Sequence, residues 1–225
     1  MTNAHPLITE VNALLCGFFV LSAFAMVVVR QIGACIGVFI AQSLLLAASA
    51  FVLGAQPLSW HLFAVGCVTL LSKPIVIPWL LRRLVPREIY TAREISQSLD
   101  VPTALLVALA LALVGFALGA RLVHAAPVSA PENVIVGFAS LLIGALVLAV
   151  RREAVPQMLG ILAMENAAFL AGIAIAPDFP LIAELAIAFD VPLLAFIVAL
   201  LTRAVYRRVG STAVGELSAL REHAR

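Results

Sequence analysis

Residues 134–175 read VIVGFASLLIGALVLAVRREAVPQMLGILAMENAAFLAGIAI, and this stretch contains the pattern that decides the fold. Two apolar runs, Val134–Val150 and Pro156–Ile175, are separated by a short charged linker. Each run is close to the roughly 20 residues that a helix needs to cross the hydrocarbon core of a bilayer. Because lipid offers no hydrogen-bond partners, a spanning backbone must satisfy its own polar groups, as an α-helix does. The stretch therefore predicts two consecutive transmembrane helices.

The same pattern recurs along the whole chain. Of its 225 residues, 64% are hydrophobic and 12% are charged, and the mean hydropathy is +1.13. That composition excludes a soluble globule, and the continuous apolar runs exclude the alternating pattern of a β-barrel. We predict an all-α polytopic membrane helix bundle, a single domain over residues 1–225 in a lipid bilayer. Its seven predicted spans are Leu7–Val29, Ile32–Leu53, His61–Leu81, Val101–Val123, Val134–Val150, Pro156–Ile175 and Leu181–Leu201.

The arginines predict the orientation of the bundle. Twelve of the 13 arginines follow an odd-numbered span and so fall on one side of the predicted membrane, whereas Arg121 falls on the other. The positive-inside rule then places the N-terminus outside and the C-terminus in the cytoplasm, in a multi-pass protein of the inner (plasma) membrane. This distribution also accounts for the net charge of +2 without a nucleic acid partner.

Four ionisable side chains fall well inside the predicted spans, away from their ends: Lys73, Glu165, Glu184 and Asp190. A charged group at the centre of a helix costs about 2.5–3.5 kcal/mol on insertion scales, so such groups must face protein, water or one another. Glu165 and Asp190 each lie about ten residues into a span and Lys73 lies slightly past the centre of its span, so all three are near the midplane. Glu184 lies roughly 9 Å nearer the outer side. Opposite charges in a desolvated site can exchange protons near neutral pH, so the four residues are a candidate proton relay. A static ion pair that holds the bundle together is the alternative.

Polar and helix-breaking residues accompany these charges. Asn166, Gln42 and Ser72 are predicted to support the relay by hydrogen bonding. Pro74, beside Lys73, removes a helical hydrogen bond and favours a hydrated kink. Gly33 and Gly37 form a GxxxG pair that predicts a close helix approach.

Cysteine spacing indicates neither a disulfide nor a metal site. Cys16, Cys35 and Cys67 lie singly in the first three spans, without the CxxC spacing of a metal cage. We interpret them as packing residues. No metal and no cofactor are predicted.

Several segments together resemble one known family. They are AQSLLL at 41–46, LSKPIVIP at 71–78, LGILAMENAAFL at 159–170, AELAIAFD at 183–190 and LSAL at 217–220. Over nearly its whole length the chain resembles the hydrogenase-4 component E family, membrane subunits of energy-converting nickel-iron hydrogenases and related complexes.

The resemblance implies a division of the chain. Residues 132–204 are similar to the three-helix K subunit of respiratory complex I, residues 1–131 form a four-helix part, and residues 205–225 form a cytoplasmic tail. The K subunit contributes one carboxylate from each of two adjacent helices to a midplane proton path. By this resemblance Glu165 matches the first carboxylate and Asp190 the second. Glu165 stands about one helical turn later than the K pattern places it.

The resemblance also implies a function. The chain would be a non-catalytic subunit of a redox-driven, proton-pumping complex. Its partners would be an antiporter-like proton-pumping subunit, a membrane anchor subunit and a soluble redox or effector module. Two other hypotheses are a purely structural assembly subunit and a stand-alone secondary transporter.

Overall fold

A computed structural model describes residues 4–55, 58–77, 79, 95, 97–125, 128–175 and 196 of the chain. The described part contains six α-helices and no named strand. Five of these helices are long and apolar enough to cross a membrane, and the third is shorter. The all-α membrane helix bundle is therefore confirmed. The helices are α1 Ala4–Val28, α2 Ile32–Gly54, α3 Trp60–Leu71 with a π-helical turn at Ser72–Val76, α4 Val101–Ala125, α5 Pro131–Val150 and α6 Ala154–Ile175.

The helix bounds lie within a few residues of the predicted spans wherever the spans are described. The helix α5 begins at Pro131 rather than Val134, because proline fits the first helical position, where its missing N–H would have no helical partner. In the third span the regular α-helix ends at Leu71, just before the π-helical turn. The predicted seventh span, Leu181–Leu201, and the tail 205–225 lie outside the described residues, apart from residue 196.

The helices pack in two layers of three. In the first layer α2 packs against both α1 and α3, and in the second α5 packs against both α4 and α6. The layers meet where α1 contacts α5 and α2 contacts α6. Because consecutive helices run in opposite directions, α2 ends and α5 begins at one end of the bundle, which we call the Glu132 end. The opposite end, where α1 and α5 finish, is the Arg151 end.

Glycines allow the backbones of α4 and α5 to approach closely. A Cβ atom added to Gly115 would lie 2.5 Å from the Cα of Ala139, and one on Gly119 would lie 2.6 Å from the Cα of Ile135. This is the use of a GxxxG pair in membrane helices. Among the described residues nothing lies within 4 Å of a Cβ on Gly33 or Gly37, so a close helix approach at that pair stays a prediction. The spacing puts two glycines on one face but does not say where that face points.

Arg151 closes the C-terminal end of α1. Its side chain is fully buried, and Nη2 donates to the carbonyls of Met26 at 2.7 Å, Val27 at 3.2 Å and Val29 at 2.6 Å. The last carbonyls of a helix have no partner inside the helix and need such donors. Burial lowers the pKa of Arg151 below its usual value, but a guanidinium stays charged at neutral pH. Arg151, which follows α5, therefore links the second layer to the end of α1 in the first layer.

Candidate functional site

Lys73 lies in a locally widened turn of the third helix. Pro74 follows it and has no N–H to donate, so the regular helical pattern cannot continue. The N–H of Ile77 instead bonds the carbonyl of Ser72, five residues earlier, as in a π-helix. The Lys73 side chain is only 4% exposed. A buried ammonium of this kind requires charged and polar partners.

Three side chains of α6 supply those partners. The Nζ atom of Lys73 lies 2.9 Å from Oε1 of Glu165 and donates to Oδ1 of Asn166 at 2.8 Å. It also lies 4.7 Å from the centre of the Phe169 ring, within the range of a cation–π interaction. The structure thus brings Lys73 and Glu165 together, as an ion pair between the third helix and α6.

Asn166 extends this contact to α2. Its Nδ2 donates to Oγ of Ser43 at 3.0 Å and, more weakly, to Oε1 of Gln42 at 3.4 Å. The hydroxyl of Ser43 in turn donates to the carbonyl of Phe39 at 2.9 Å. Lys73, Glu165, Asn166, Gln42 and Ser43 form the group that we call the Lys73 cluster. It joins α2, α6 and the third helix inside the bundle.

The two charged members of the Lys73 cluster differ in their access to the surroundings. The Glu165 side chain is 23% exposed, whereas that of Lys73 is 4% exposed. The carboxylate is therefore the more accessible of the two charged groups.

The other predicted site residues lie elsewhere or outside the described part. The hydroxyl of Ser72 donates to the carbonyl of Val68 at 2.8 Å, so its hydrogen bond stays within its own helix. Adjacent helical residues point about 100° apart, which is why Ser72 does not share the direction of Lys73. Asp190 and Glu184 lie outside the described residues, and their roles stay predictions.

A second polar cluster, which the sequence analysis missed, lies nearer the Glu132 end. The Nδ2 of Asn12 donates to Oδ1 of Asn133 at 2.6 Å and to Oε1 of Glu132 at 2.9 Å. Ser49 donates to Oδ1 of Asn12 at 2.7 Å and accepts from Nδ2 of Asn133 at 2.9 Å. The thiol of Cys16 also donates to Asn133, at 3.2 Å. We call these five residues the Asn12 cluster; it joins α1, α2 and α5.

A signal for this cluster was present in the sequence. Asn12 and Ser49 interrupt long apolar runs, and Asn133 directly precedes one. Polar side chains inside membrane helices commonly bond across helices. The predicted site was built around charged side chains, and Asn12, Ser49 and Asn133 are uncharged. Cys16 is buried as predicted, but it also hydrogen bonds, and Cys67 is exposed rather than packed.

The donor set does not resemble a metal site. Among the described residues, no group of three histidine, cysteine, aspartate or glutamate side chains could hold a metal ion. The Lys73 cluster offers one carboxylate, and that carboxylate faces an ammonium. Its chemistry is that of proton exchange or ion pairing.

The fold and the site together define a polytopic membrane helix bundle with a charged cluster inside it. The chain belongs to the same family as a Mycobacterium tuberculosis protein described as "Uncharacterized protein Rv0085". The two are 30% identical over 206 residues, which are 92% of this chain and 94% of the relative. No protein-family profile matches the chain. No solved structure matches it either.

Proposed function

We propose that this chain is a non-catalytic membrane subunit of a multisubunit energy-converting complex, of the group 4 hydrogenase or complex I kind, in which it contributes a mid-membrane proton relay. The observation that carries the proposal is the buried ion pair between Lys73 and Glu165. Ionisable groups inside transmembrane helices are costly, and they commonly mark proton or ion pathways. The resemblance to hydrogenase-4 component E, whose matching segments include Lys73 and Glu165, supports the same conclusion.

The contacts of the pair suggest how the relay works. A proton that reaches Glu165 neutralises its carboxylate and weakens the attraction to Lys73, which lies 2.9 Å away. The ammonium then keeps the Asn166 oxygen and the Phe169 ring as partners. Lys73 can next release its own proton to another acceptor and become a neutral amine. Each step moves one proton and leaves the site with at most one unpaired charge.

The proposal includes the finer topology and the assembly. The chain would cross the inner membrane seven times, with the N-terminus outside and the C-terminus in the cytoplasm. Asp190 would accept or supply the proton of the Lys73–Glu165 pair, and Glu184 would extend the path outward. The partners would be an antiporter-like subunit, a membrane anchor subunit and a soluble redox or effector module. The arginine distribution and the apolar run at Leu181–Leu201 support this arrangement.

The experiment begins with the intact assembly. The full chain is tagged, purified from its native membrane with its associated chains, and those chains are identified. Proton movement is then followed with a pH-sensitive dye in membrane vesicles containing wild-type, Glu165→Gln or Asp190→Asn protein. We expect each variant to assemble and to lower coupled proton movement at least tenfold. Glu10→Gln is the matched control, because Glu10 is an exposed carboxylate at the start of α1.

A specific observation favours a second candidate, the structural subunit. The Lys73 ammonium has an ion-pair partner, a hydrogen-bond acceptor and an aromatic ring, as a static pair would. Under that hypothesis Glu165→Gln lowers the yield of the complex and leaves proton movement per assembled complex unchanged. That result would overturn the relay. Proton movement by the purified chain alone in liposomes would instead favour a stand-alone transporter.

A further inference from the structure

Apolar side chains close the Lys73 cluster on the side of the Glu132 end. Leu46 follows Gln42 by four residues on α2, and Leu170 follows Asn166 by four on α6. Both helices run toward the Glu132 end, so each leucine lies one turn, or about 6 Å, nearer that end. Both leucines are 1% exposed and belong with Phe19 to one hydrophobic cluster. This apolar layer separates the Lys73 cluster from the Asn12 cluster.

The helix α3 adds one hydroxyl on the same side of the Lys73 cluster. Thr69 precedes Lys73 by four residues and is 5% exposed. One and two turns further toward the Glu132 end, Val65 and Leu62 are buried and belong to the same hydrophobic cluster as Leu46. Thr69 is therefore followed by apolar side chains, and the layer continues onto α3.

A second apolar layer closes the Lys73 cluster on the side of the Arg151 end. Its residues lie about one turn from members of the cluster on their own helices. They are Phe39 on α2, Leu162 on α6 and Ile77 after the π-helical turn. All three are fully buried and belong to one hydrophobic cluster. Hydrocarbon side chains neither accept a proton nor hold a water molecule by hydrogen bonds. The Lys73 cluster is therefore enclosed in both directions along the axis of the described bundle.

Within the described residues, the Lys73 cluster is open toward the outer surface of α6. The side chain of Glu165 is 23% exposed, whereas the other members of the cluster are buried. Ile161 lies four residues before Glu165 and Ala168 lies three residues after it, and both are exposed. Residues three and four apart are neighbours on a helix surface, so the three side chains share one exposed face. This face, which we call the Glu165 face, lies at the side of the bundle and near mid-membrane.

We propose that the pair of Lys73 and Glu165 exchanges protons sideways, in the plane of the membrane, through the Glu165 face. The two apolar layers insulate the pair from the water at both ends of the described bundle. The insulation stands on the buried side chains alone, whereas the exchange of protons rests on the proposed function. Lipid cannot take a proton from Glu165, so the group that does is a proton-exchanging side chain that meets this face at mid-membrane.

The first test determines which phase reaches Glu165, without any transport assay. The purified full chain in liposomes is treated either with a lipid-soluble carbodiimide or with a charged, water-soluble one. The carboxyl O–H adds across a C=N bond of the reagent. The acyl group then moves to a reagent nitrogen, which gives an N-acylurea, or to Nζ of Lys73, which gives an amide and releases a urea. Mass spectrometry of the digested protein identifies both products.

Glu10 is the matched control, because it is an exposed carboxylate near the start of α1. We expect the lipid-soluble reagent to modify Glu165 at least about tenfold faster than the charged reagent, and the reverse order at Glu10, because hydrocarbon excludes charged molecules. Modification of Glu165 by the charged reagent as fast as Glu10 would overturn the insulation. No reaction of Glu165 with either reagent would overturn the open face.

The second test covers the Glu165 face in assembled complexes. In Ala168→Leu the added side chain leans toward the preceding turn of α6 and shields Glu165, so we expect proton movement per complex to fall about fivefold. Ala110→Leu, the same change at an exposed alanine of α4, should leave it unchanged. If Glu165→Gln stops proton movement and Ala168→Leu does not lower it, the sideways route is refuted while the proposed function stands. If Glu165→Gln has no effect, the proposed function fails, and the carbodiimide test still decides whether the pair is insulated.

Discussion

In the part of the bundle that the structure describes, two polar clusters differ in their make-up. Each joins three helices, and both use α2. In the Asn12 cluster, amide, hydroxyl and thiol groups bond one another, and every side-chain atom of Asn12 and Asn133 that can bond has a partner. In the Lys73 cluster an ion pair stands beside an unpartnered amide nitrogen on Gln42. A network whose amides are all bonded holds helices together, whereas an ion pair beside an unpartnered amide group has room to change its state.

The energies of the two clusters differ as well. A single hydrogen bond between membrane helices contributes on average about 0.6 kcal/mol, because the separated helices also find partners. Removing one member of a buried ion pair costs about 3–5 kcal/mol, since it leaves an uncompensated charge. The clusters can therefore be told apart by how much stability a single substitution removes.

The largest effect is expected for Lys73→Met, which keeps the length of the side chain and removes its charge. The substitution leaves Glu165 without its ion-pair partner and Asn166 without the donor to its oxygen. We expect the free energy of unfolding to fall by about 3–5 kcal/mol. The measurement is unfolding of the full chain in mixed micelles, with wild-type protein under identical conditions.

The double variant Lys73→Met with Glu165→Gln separates pairing from packing. Once both charges are gone, no unpaired ion remains, so we expect it to recover at least half of the lost stability. A double variant no more stable than Lys73→Met alone would mean that the pair contributes little and that packing of the lysine stem dominates. The contrast between the two clusters would then disappear.

A smaller effect is expected for Asn133→Ala in the Asn12 cluster. It removes three hydrogen bonds, to Asn12, Ser49 and Cys16, and we expect a loss of about 1–3 kcal/mol. The same unfolding measurement applies. Ser22→Ala is the control, because that hydroxyl bonds only the carbonyl of Phe19 in its own helix. A loss as large as that of Lys73→Met would show that charge is not what distinguishes the clusters.

Sequence alone predicted the helices well, for a physical reason. A membrane span needs a long apolar run, and the ends of such runs are marked by charged and helix-breaking residues. The residues Lys73, Glu165, Asn166 and Gln42 were also predicted, because a charge or an amide inside such a run requires partners. The sequence analysis expected buried charges to pair and nearby amides to hydrogen bond. The structure shows Lys73 paired with Glu165 and bonded to Asn166.

What sequence could not predict is which way each helix faces. In lipid, apolar residues are favoured on the outer face as well as the inner one, so the usual contrast between faces is lost. Gly33 and Gly37 point away from the described bundle, whereas Gly115 and Gly119 meet α5. Ser72 was predicted to support Lys73, but its side chain points elsewhere and bonds the carbonyl of Val68 in its own helix. Arg151 counts as a loop arginine in the sequence, yet it is buried against the end of α1.

The smallest effect is expected where a charged group lies in water rather than in a cluster. Asp100 is exposed just before α4, and its carboxylate accepts from the backbone N–H of Thr103 at 3.4 Å, in the manner of a helix N-cap. Hydrogen bonds from the Thr103 side chain, and then from its backbone, lower the pKa of Asp100 below its usual 3.8. Since the folded state holds the proton less tightly than the unfolded state, the carboxylate stabilises the fold above about pH 4 and loses this contribution as the pH falls through the lowered pKa.

Asp100→Ala should therefore lower the melting temperature slightly at pH 7, and its effect should shrink as the pH falls through the lowered pKa of Asp100. Asp100→Asn is the matched control, because its side-chain oxygen caps the helix without titrating. Thermal unfolding of the full chain in liposomes over this pH range measures the difference. Because solvent screens this charge, its substitution should cost less than Asn133→Ala and far less than Lys73→Met. A larger cost for Asp100→Ala than for Asn133→Ala would show that burial is not what makes the clusters matter.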